Sequence, residues 1–320
     1  MNKKRQKTVY ISLLNWNNYK ECIKCIDTII LSEYKEYKII IRDNCSKNNS
    51  FAILKNKYPQ YIVVRSQQNN GYAQGHLENW EIAKQNNADF FWILNVDLTI
   101  DPKALNALVE TYSKNGIGVY GSVSLKIHDK TIIDFAGGKR PEKDDTILSY
   151  NTYKNLNYEE YRKKFAYYRE VQTTEGSSMF LPKEVIENFG FMKTDFFMYN
   201  EEVDYAFRLR SKGVKSFIVT NSIIFHKSEG SFKDSNRLYL IPLYYRRRNY
   251  LRFLREHFNY NFFQILNYKD SIIVKIKLLI KCMLLSEFKE NNSESYFLTL
   301  ATIHAAFKIK GKTLDPENFK

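Results

Sequence analysis

Between residues 9 and 94 the chain alternates short, uninterrupted apolar runs with segments whose apolar residues recur at helical spacing. Residues 9–14, 38–41, 61–64 and 90–94 read as strands. A strand that is apolar throughout has no face to present to water, so it belongs in a sheet covered on both sides. Covering helices are supplied by 18–31 (with Cys22, Ile26, Ile29 and Ile30), by 51–58 ahead of Pro59, and by 73–85. This pattern predicts an α/β fold on a mainly parallel sheet.

Ligand-contacting residues of such sheets gather at the carboxyl ends of the strands. Three strands here end in polar groups: Asn15, then Asp43 with Asn44, then Asn95-Val96-Asp97. One polar loop would be unremarkable; three together predict a ligand crevice. Between the third strand and its helix lies Asn69-Asn70-Gly71-Tyr72-Ala73-Gln74-Gly75, whose glycines permit close backbone approach. It lacks the spacing of a dinucleotide fingerprint or a phosphate-binding loop.

Downstream, 139–169 dissolves into charged, Tyr-rich sequence and reads as an excursion or mobile loop. Order returns at 176–181, followed by a helix opened by Pro182, a helix over 201–212 stopped by Gly213, and strands at 215–219 and 223–225. Beyond residue 236 the texture changes to basic, aromatic helices. The expected division is an α/β domain over 1–235 and a helical region over 236–320.

Charge sharpens that division. The formal net charge is +14, and residues 236–290 carry eleven Lys/Arg against four acids, half of the total. Such a region suits phosphate on anionic lipid, on a lipid-linked diphosphate or on nucleic acid, the plain alternative being a solvated face. The apolar run 272–285 is too short to span a bilayer and contains Lys275, Lys277 and Lys281. It reads either as an interfacial helix with snorkelling lysines or as a helix packed on the domain. Residues 1–7 are polar and basic, without the apolar core of a secretory signal, and four cysteines then point to a reducing compartment. Cys22 and Cys25, inside a helical pattern, read as small buried residues rather than a redox or zinc pair.

The carboxylates carry the chemistry. Asp97, ending a buried strand, is the candidate metal ligand. Glu201, Glu202 and Asp204 crowd a helix start after Phe196-Phe197-Met198-Tyr199. A helix dipole favours acids there, but three in four residues beside bulky aromatics exceed that need. A partly desolvated carboxylate gains the raised pKa that a general base requires. Helical geometry sends Glu201 and Asp204 to a similar face and displaces Glu202. His226, ending a strand, could complete a metal site and would tilt it from magnesium toward manganese.

In order and spacing these motifs resemble family 2 glycosyltransferases of the GT-A fold, especially bacterial non-processive, rhamnosyltransferase-like enzymes that build polysaccharide and lipid-linked glycans. The resemblance runs from Val9 to Ser231 through Ile11-Ser12-Leu13-Leu14-Asn15, Ile41-Arg42-Asp43-Asn44-Cys45-Ser46, Asn70-Gly71-Tyr72-Ala73, Leu94-Asn95-Val96-Asp97 and Phe197-Met198-Tyr199-Asn200-Glu201-Glu202-Val203-Asp204. It implies a Rossmann-like sheet flanked by helices and a basic helical C-terminal region. It implies donor contacts from Asn15, Asp43, Asn44, Gly71, Tyr72 and Asn95, and an acceptor side around Gly176 and Asp204. A divalent cation (Mn2+ or Mg2+) would sit on Asp97 and His226, with Glu202 as the base. Three departures stand out: Asn95 replaces the first Asp of a full Asp-x-Asp, Val96 replaces a common Pro, and Glu202 replaces Asp, which keeps Glu201 open as the base.

The activity so implied is inverting transfer from a UDP- or dTDP-sugar to a hydroxyl of a growing, lipid-linked surface glycan at the cytoplasmic face of the membrane. The implied partners are the nucleotide sugar, the glycan acceptor and an anionic membrane surface, with no nucleic acid; the oligomeric state is open. Three rivals remain. A sugar nucleotidyltransferase normally has a Gly-rich, Arg-containing N-terminal loop, and residues 11–20 contain neither residue. A nucleic-acid binder would use the positive charge but gives no reason for Asp97, the acid cluster and His226. A scaffold that has lost activity would account for Asn95 and Glu202.

Overall fold

In the computed structural model β1 (Val9–Asn15), β2 (Tyr37–Asp43), β3 (Ile62–Arg65) and β4 (Phe90–Leu94) pair in parallel, β1 lying between β4 and β2. Their connections are α1 (Tyr19–Ile29), α2 (Ser50–Lys57) and α3 (Tyr72–Gln85). Because side chains alternate across a strand, β1 and β4 feed two cores. Val9, Ile11, Leu13, Phe90, Trp92 and Leu94 pack with Cys22, Cys25, Ile26 and Ile29 of α1. Tyr10, Phe91 and Ile93 pack with Ala73, Trp80 and Ala83 of α3 on the other face. The continuous apolar runs are therefore buried on both sides, as their composition requires.

The structure describes residues 6–139, 150–151, 153–227, 238–285 and 293–319. The chain divides into one compact unit of Met1–Pro141, Ser149–Met192 and Glu202–Ser228, and another of Glu142–Leu148, Lys193–Glu201 and Glu229–Lys320.

The first unit continues with β5 (Leu98–Ile100), α4 (Ala104–Asn115), β6 (Val119–Lys126), β7 (Asp129–Phe135), β8 (Gly138–Lys139), β9 (Tyr150–Asn151), α5 (Tyr158–Lys164), β10 (Tyr168–Val171), β11 (Ser178–Pro182) and α6 (Lys183–Phe189). Then follow α7 (Glu201–Ser211) and β12 (Ser216–His226). The main sheet runs β10-β12-β6-β11-β4-β1-β2-β3, with β5 added to β12 and β7 to β6. Antiparallel β11 lies between β4 and β6, so its first residues stand at the carboxyl end of β4.

Two expectations are corrected here. The stretch 139–169 is not a loop throughout: it contains β9, α5 and the start of β10, and Tyr153, Leu156, Tyr161 and Phe165 pack against Val123, Ile133 and Val171. Its aromatic residues carry this packing, which no helical or strand period reveals; 140–149 and 152 lie outside the described residues. The two strands expected at 215–219 and 223–225 are one strand, β12, with a register shift between Val219 and Ile223.

In the second unit α8 (Leu240–Phe258) takes Pro242 in its first turn and ends at Asn259 with a left-handed φ of 57°. It is followed by α9 (Phe262–Leu266), α10 (Ile272–Leu284) and α11 (Ser293–Ala306). Leu240, Ile241, Tyr244 and Tyr245 of α8 form a core with Phe297 and Ala301 of α11 and with Phe197. Part of the basic region is internal, contrary to a uniformly phosphate-facing patch. Arg248 and Arg252 are buried in α8, and Lys275 is buried with its ammonium donating to the Tyr268 and Asp270 carbonyls. Arg237 and Lys289 lie outside the described residues. Among the described residues no helix is long and apolar enough to cross a membrane.

Candidate functional site

Pairing of β5 with β12 explains how two residues distant in sequence meet. His226 stands opposite Leu98 in that antiparallel register, and the Lys227 amide donates to the Asp97 carbonyl at 3.1 Å. Asp97 Oδ1 therefore lies 3.4 Å from His226 Nε2, with both side chains largely shielded. Burial by itself would lower the imidazole pKa. Contact with Asp97 and the charges of Glu175 and Asp134 outweigh it and push the value up to about 9. Two ligand atoms about 2.1 Å from one cation and at right angles stand about 3 Å apart. The Asp97–His226 pair is close to that spacing, and a carboxylate with an imidazole suits a manganese-type ion.

The segment before β11 gathers beside this pair. Glu175 Oε1 lies 4.0 Å from His226 Nδ1, and the Ser177 hydroxyl donates to Glu175 Oε2 at 2.7 Å. Burial raises the Glu175 carboxyl pKa, opposed by His226 and Ser177. The Asn95 amide donates to the Ser177 carbonyl at 3.0 Å, which ties this segment to the Asn95-Val96-Asp97 turn. From beneath, the Cys25 thiol reaches the Asn95 carbonyl at 3.6 Å. Burial pushes both Cys22 and Cys25 well above the usual thiol range, so neither is a reactive thiolate.

At the ends of β1 and β2, Asp43 is fully buried. It accepts from Asn15 Nδ2 at 3.0 Å and from the Ser46 amide at 2.9 Å, with Arg65 at 3.6 Å. Asn44 Nδ2 donates to Asn69 Oδ1 at 2.9 Å. Among the described residues the buried oxygens Asn15 Oδ1 and Asn44 Oδ1 have no hydrogen-bond partner. A native fold rarely leaves such atoms unused, so this corner has acceptor capacity for a ligand. Gly71 has a φ of 87°, where a side chain would be strained. A Cβ on Gly75 would fall 2.5 Å from Leu14 Cδ1, so that glycine lets α3 start directly against β1.

Tyr72 Oη donates to the Gly176 carbonyl at 2.5 Å. A Cβ on Gly176 would be 3.7 Å from Glu202 Cβ and Cγ and 3.6 Å from Tyr72 Oη, so both side chains lie against Gly176. Tyr72 also stands edge-on to His76, whose Nδ1 is 2.7 Å from the Ser12 hydroxyl. Burial lowers His76 to about 3, which keeps it neutral. Glu202 is half-buried, Glu201 is buried, and Asp204 is fully buried in an ion pair with Arg208 at 2.8 Å. The structure thus brings Gly71, Tyr72, Gly176 and Glu202 to one place, Asp97 and His226 to a second, and Asn15, Asp43 and Asn44 to a third. The 175–177 segment touches the first two. Asp204 turns to Arg208 instead.

The family model described as glycosyl transferase family 2 matches residues 11–190, more than half of the chain. The chain belongs to glycosyl transferase family 2. Among curated proteins no match is found. Solved structures similar to this glycosyltransferase include a mannosyltransferase from Pyrobaculum calidifontis in complex with GDP-Man and Mn2+. It is 13% identical with a TM-score of 0.55, and the match covers 95% of this chain and 76% of that one. GalNAc-T7 with UDP, GalNAc and Mn2+ is 15% identical with a TM-score of 0.61 over 92% of this chain, which spans 56% of that protein. S. aureus TarS 1–349 is 9% identical with a TM-score of 0.50, covering 94% and 72%. At these identities the likeness establishes the shared GT-A fold.

Sequence reasoning about the glycosyltransferase missed Glu175 and Asp134. The only signal for Glu175 was its place directly before Gly176 at the mouth of a buried strand. Asp134 had none, because β7 joins the sheet through irregular pairing with β6.

Proposed function

We propose that this glycosyltransferase is a metal-dependent, inverting enzyme. It moves a sugar from a UDP- or dTDP-sugar to a hydroxyl of a growing, lipid-linked surface glycan, in the manner of the rhamnosyltransferase-like subgroup. The observation that carries the reading is the Asp97–His226 pair at the carboxyl end of the sheet, 3.4 Å apart and within one fold unit as Glu202. Asp97 and His226 would hold a Mn2+ or Mg2+ ion, as Mn2+ is present in two of the similar structures. When bound, such an ion neutralises the charge of the departing nucleoside diphosphate. Asn15, Asp43 and Asn44 hold the nucleoside, with Asn15 Oδ1 and Asn44 Oδ1 accepting from it. Gly71, Tyr72 and Asn95 line the path of the diphosphate and sugar.

Glu202 then takes the proton of the acceptor hydroxyl. Its neighbours Gly176 and Tyr72 leave it half-exposed, while Glu201 is buried, which favours Glu202 as the base. A base that acts on the acceptor opposite the leaving group gives single displacement with inversion. Asp204, paired with Arg208, serves the acceptor side by holding the start of α7. The catalytic domain is read as 1–235 and the helical region as 236–320.

Peripheral attachment to the inner membrane face rests on α10. Ile273, Ile276, Ile280, Met283 and Leu284 are exposed, and exposed Lys277 and Lys281 accompany them. Apolar side chains flanked by lysines suit the interface of an anionic bilayer. A donor screen with Mn2+ and Mg2+ that reads free nucleotide tests the activity; no turnover of any nucleotide sugar overturns it. Flotation with liposomes, with and without anionic lipid, tests the attachment, and failure to float in both removes it.

A further inference from the structure

We infer that Glu175 is the positioning residue for His226: its carboxylate takes the Nδ1 side of the ring and leaves Nε2 for the cation. This inference rests on the metal-dependent reading above. The geometry is directional. The two carboxylates face opposite nitrogens of one imidazole, Asp97 Oδ1 at Nε2 (3.4 Å) and Glu175 Oε1 at Nδ1 (4.0 Å). A histidine that ligates through one nitrogen is oriented, and its tautomer set, by what the other nitrogen donates to. Glu175 is the residue placed for that second contact.

Two features show that Glu175 is itself held. Ser177 Oγ donates to Oε2 at 2.7 Å, which turns Oε1 toward the ring. The Ser177 carbonyl accepts from the Asn95 amide at 3.0 Å, so Glu175 is anchored to the same turn that carries Asp97. Ligand, ring and ring support therefore stand on three backbone segments tied by two amide hydrogen bonds, Asn95 to Ser177 and Lys227 to Asp97. Gly176, between Glu175 and Ser177, is also the residue that Tyr72 and Glu202 approach. A shift in the 175–177 segment would disturb the cation side and the base side together.

Calorimetric titration of the full chain with Mn2+ tests this, with the wild type and Asp97→Asn reporting on the metal site alone. Glu175→Ala is expected to weaken Mn2+ binding by about 10–100-fold. Glu175→Gln should recover most of the loss, because its amide oxygen still accepts from Nδ1–H. Ser177→Ala should cost about fivefold, the equivalent of one ordinary hydrogen bond. Wild-type Mn2+ affinity in Glu175→Ala overturns the inference. So does a Glu175→Gln protein no better than Glu175→Ala, which would make the carboxylate a direct ligand. If Glu175→Ala does not fold, unchanged Mn2+ affinity in Ser177→Ala overturns it instead. A wild type that binds no Mn2+ refutes the metal-dependent reading itself and the inference with it.

Discussion

The strand ends of the first unit and helix α8 of the second both concentrate amide and charged side chains, and they use them in opposite ways. In α8 the polar groups of Arg248 and Asn249 are taken up by carbonyls and side chains of the protein itself. Arg248 donates to the Phe196 and Gly311 carbonyls, to Thr313 and to Asn249. Asn249 Nδ2 donates to the carbonyls of Phe196, Met198 and Tyr199. Those contacts hold a turn in which Phe197, Tyr199 and Asn200 all have positive φ, at 71°, 65° and 72°. Each such residue costs of order 1 kcal/mol or more and persists only where the surroundings impose it. At the strand ends, by contrast, Asn15 Oδ1 and Asn44 Oδ1 are buried without partners among the described residues, and the carboxylates of Asp97 and Glu175 crowd one imidazole. The first use is architectural; the second leaves acceptors that a ligand can meet.

The sharpest way to break this comparison is to remove one group from each region. Glu202→Gln should lower kcat by about 10²–10⁴-fold, the usual reach of a general base, with Tm unchanged. Normal turnover would return the base to Glu201. Asn249→Ala should do the reverse in kind and cost stability. It removes the Asn249 donor from the Met198 and Tyr199 carbonyls, while Phe196 keeps Arg248, a loss of about 3 kcal/mol by denaturant unfolding. A loss below about 0.5 kcal/mol, the level of an ordinary surface change, would mean that the turn holds itself.

A pH titration probes the strand ends. His226 is raised to about 9 in the metal-free protein, so at neutral pH a cation must displace its proton. Mn2+ affinity should rise about tenfold per pH unit from pH 7 and level off near 9, each unit being worth about 1.4 kcal/mol. For the metal-free fold the sign is opposite. The charged imidazole adds stability that is fully present below its ordinary pKa of 6.5 and is lost as pH rises through about 9. Flat Mn2+ affinity over that range would remove His226 from the cation. The smallest effect is expected for Tyr72→Phe, which loses one hydrogen bond to the Gly176 carbonyl. That is worth about 1 kcal/mol, or roughly fivefold in kcat/KM; a hundredfold loss would give Tyr72 a direct part in the chemistry.

Much of the fold is legible in the sequence. Burial on both faces follows from strands as apolar as Phe90–Leu94, and the polar strand ends follow from Asn15, Asp43 and Asp97 standing where those runs stop. Asp97, His226 and Glu202 are candidates because their residue types and order resemble those of the family. The internal role of Arg248 and Arg252 was not legible. A buried arginine and a surface arginine have the same place in a basic run, and only its packing partners tell them apart. Tyr161 and Phe165 likewise pack a region whose sequence has no regular period.

Local composition determined which segments form strands and helices, and where their polar ends fall, because hydrophobic periodicity acts over neighbouring residues. Register and crossing decided the rest. The pairing of β5 with β12 sets His226 beside Asp97, and the insertion of β11 next to β4 carries Glu175 to the same imidazole. No local signal encodes such meetings, since strand pairing is a contact between segments far apart in the chain. That is why Glu175 emerged only with the tertiary structure.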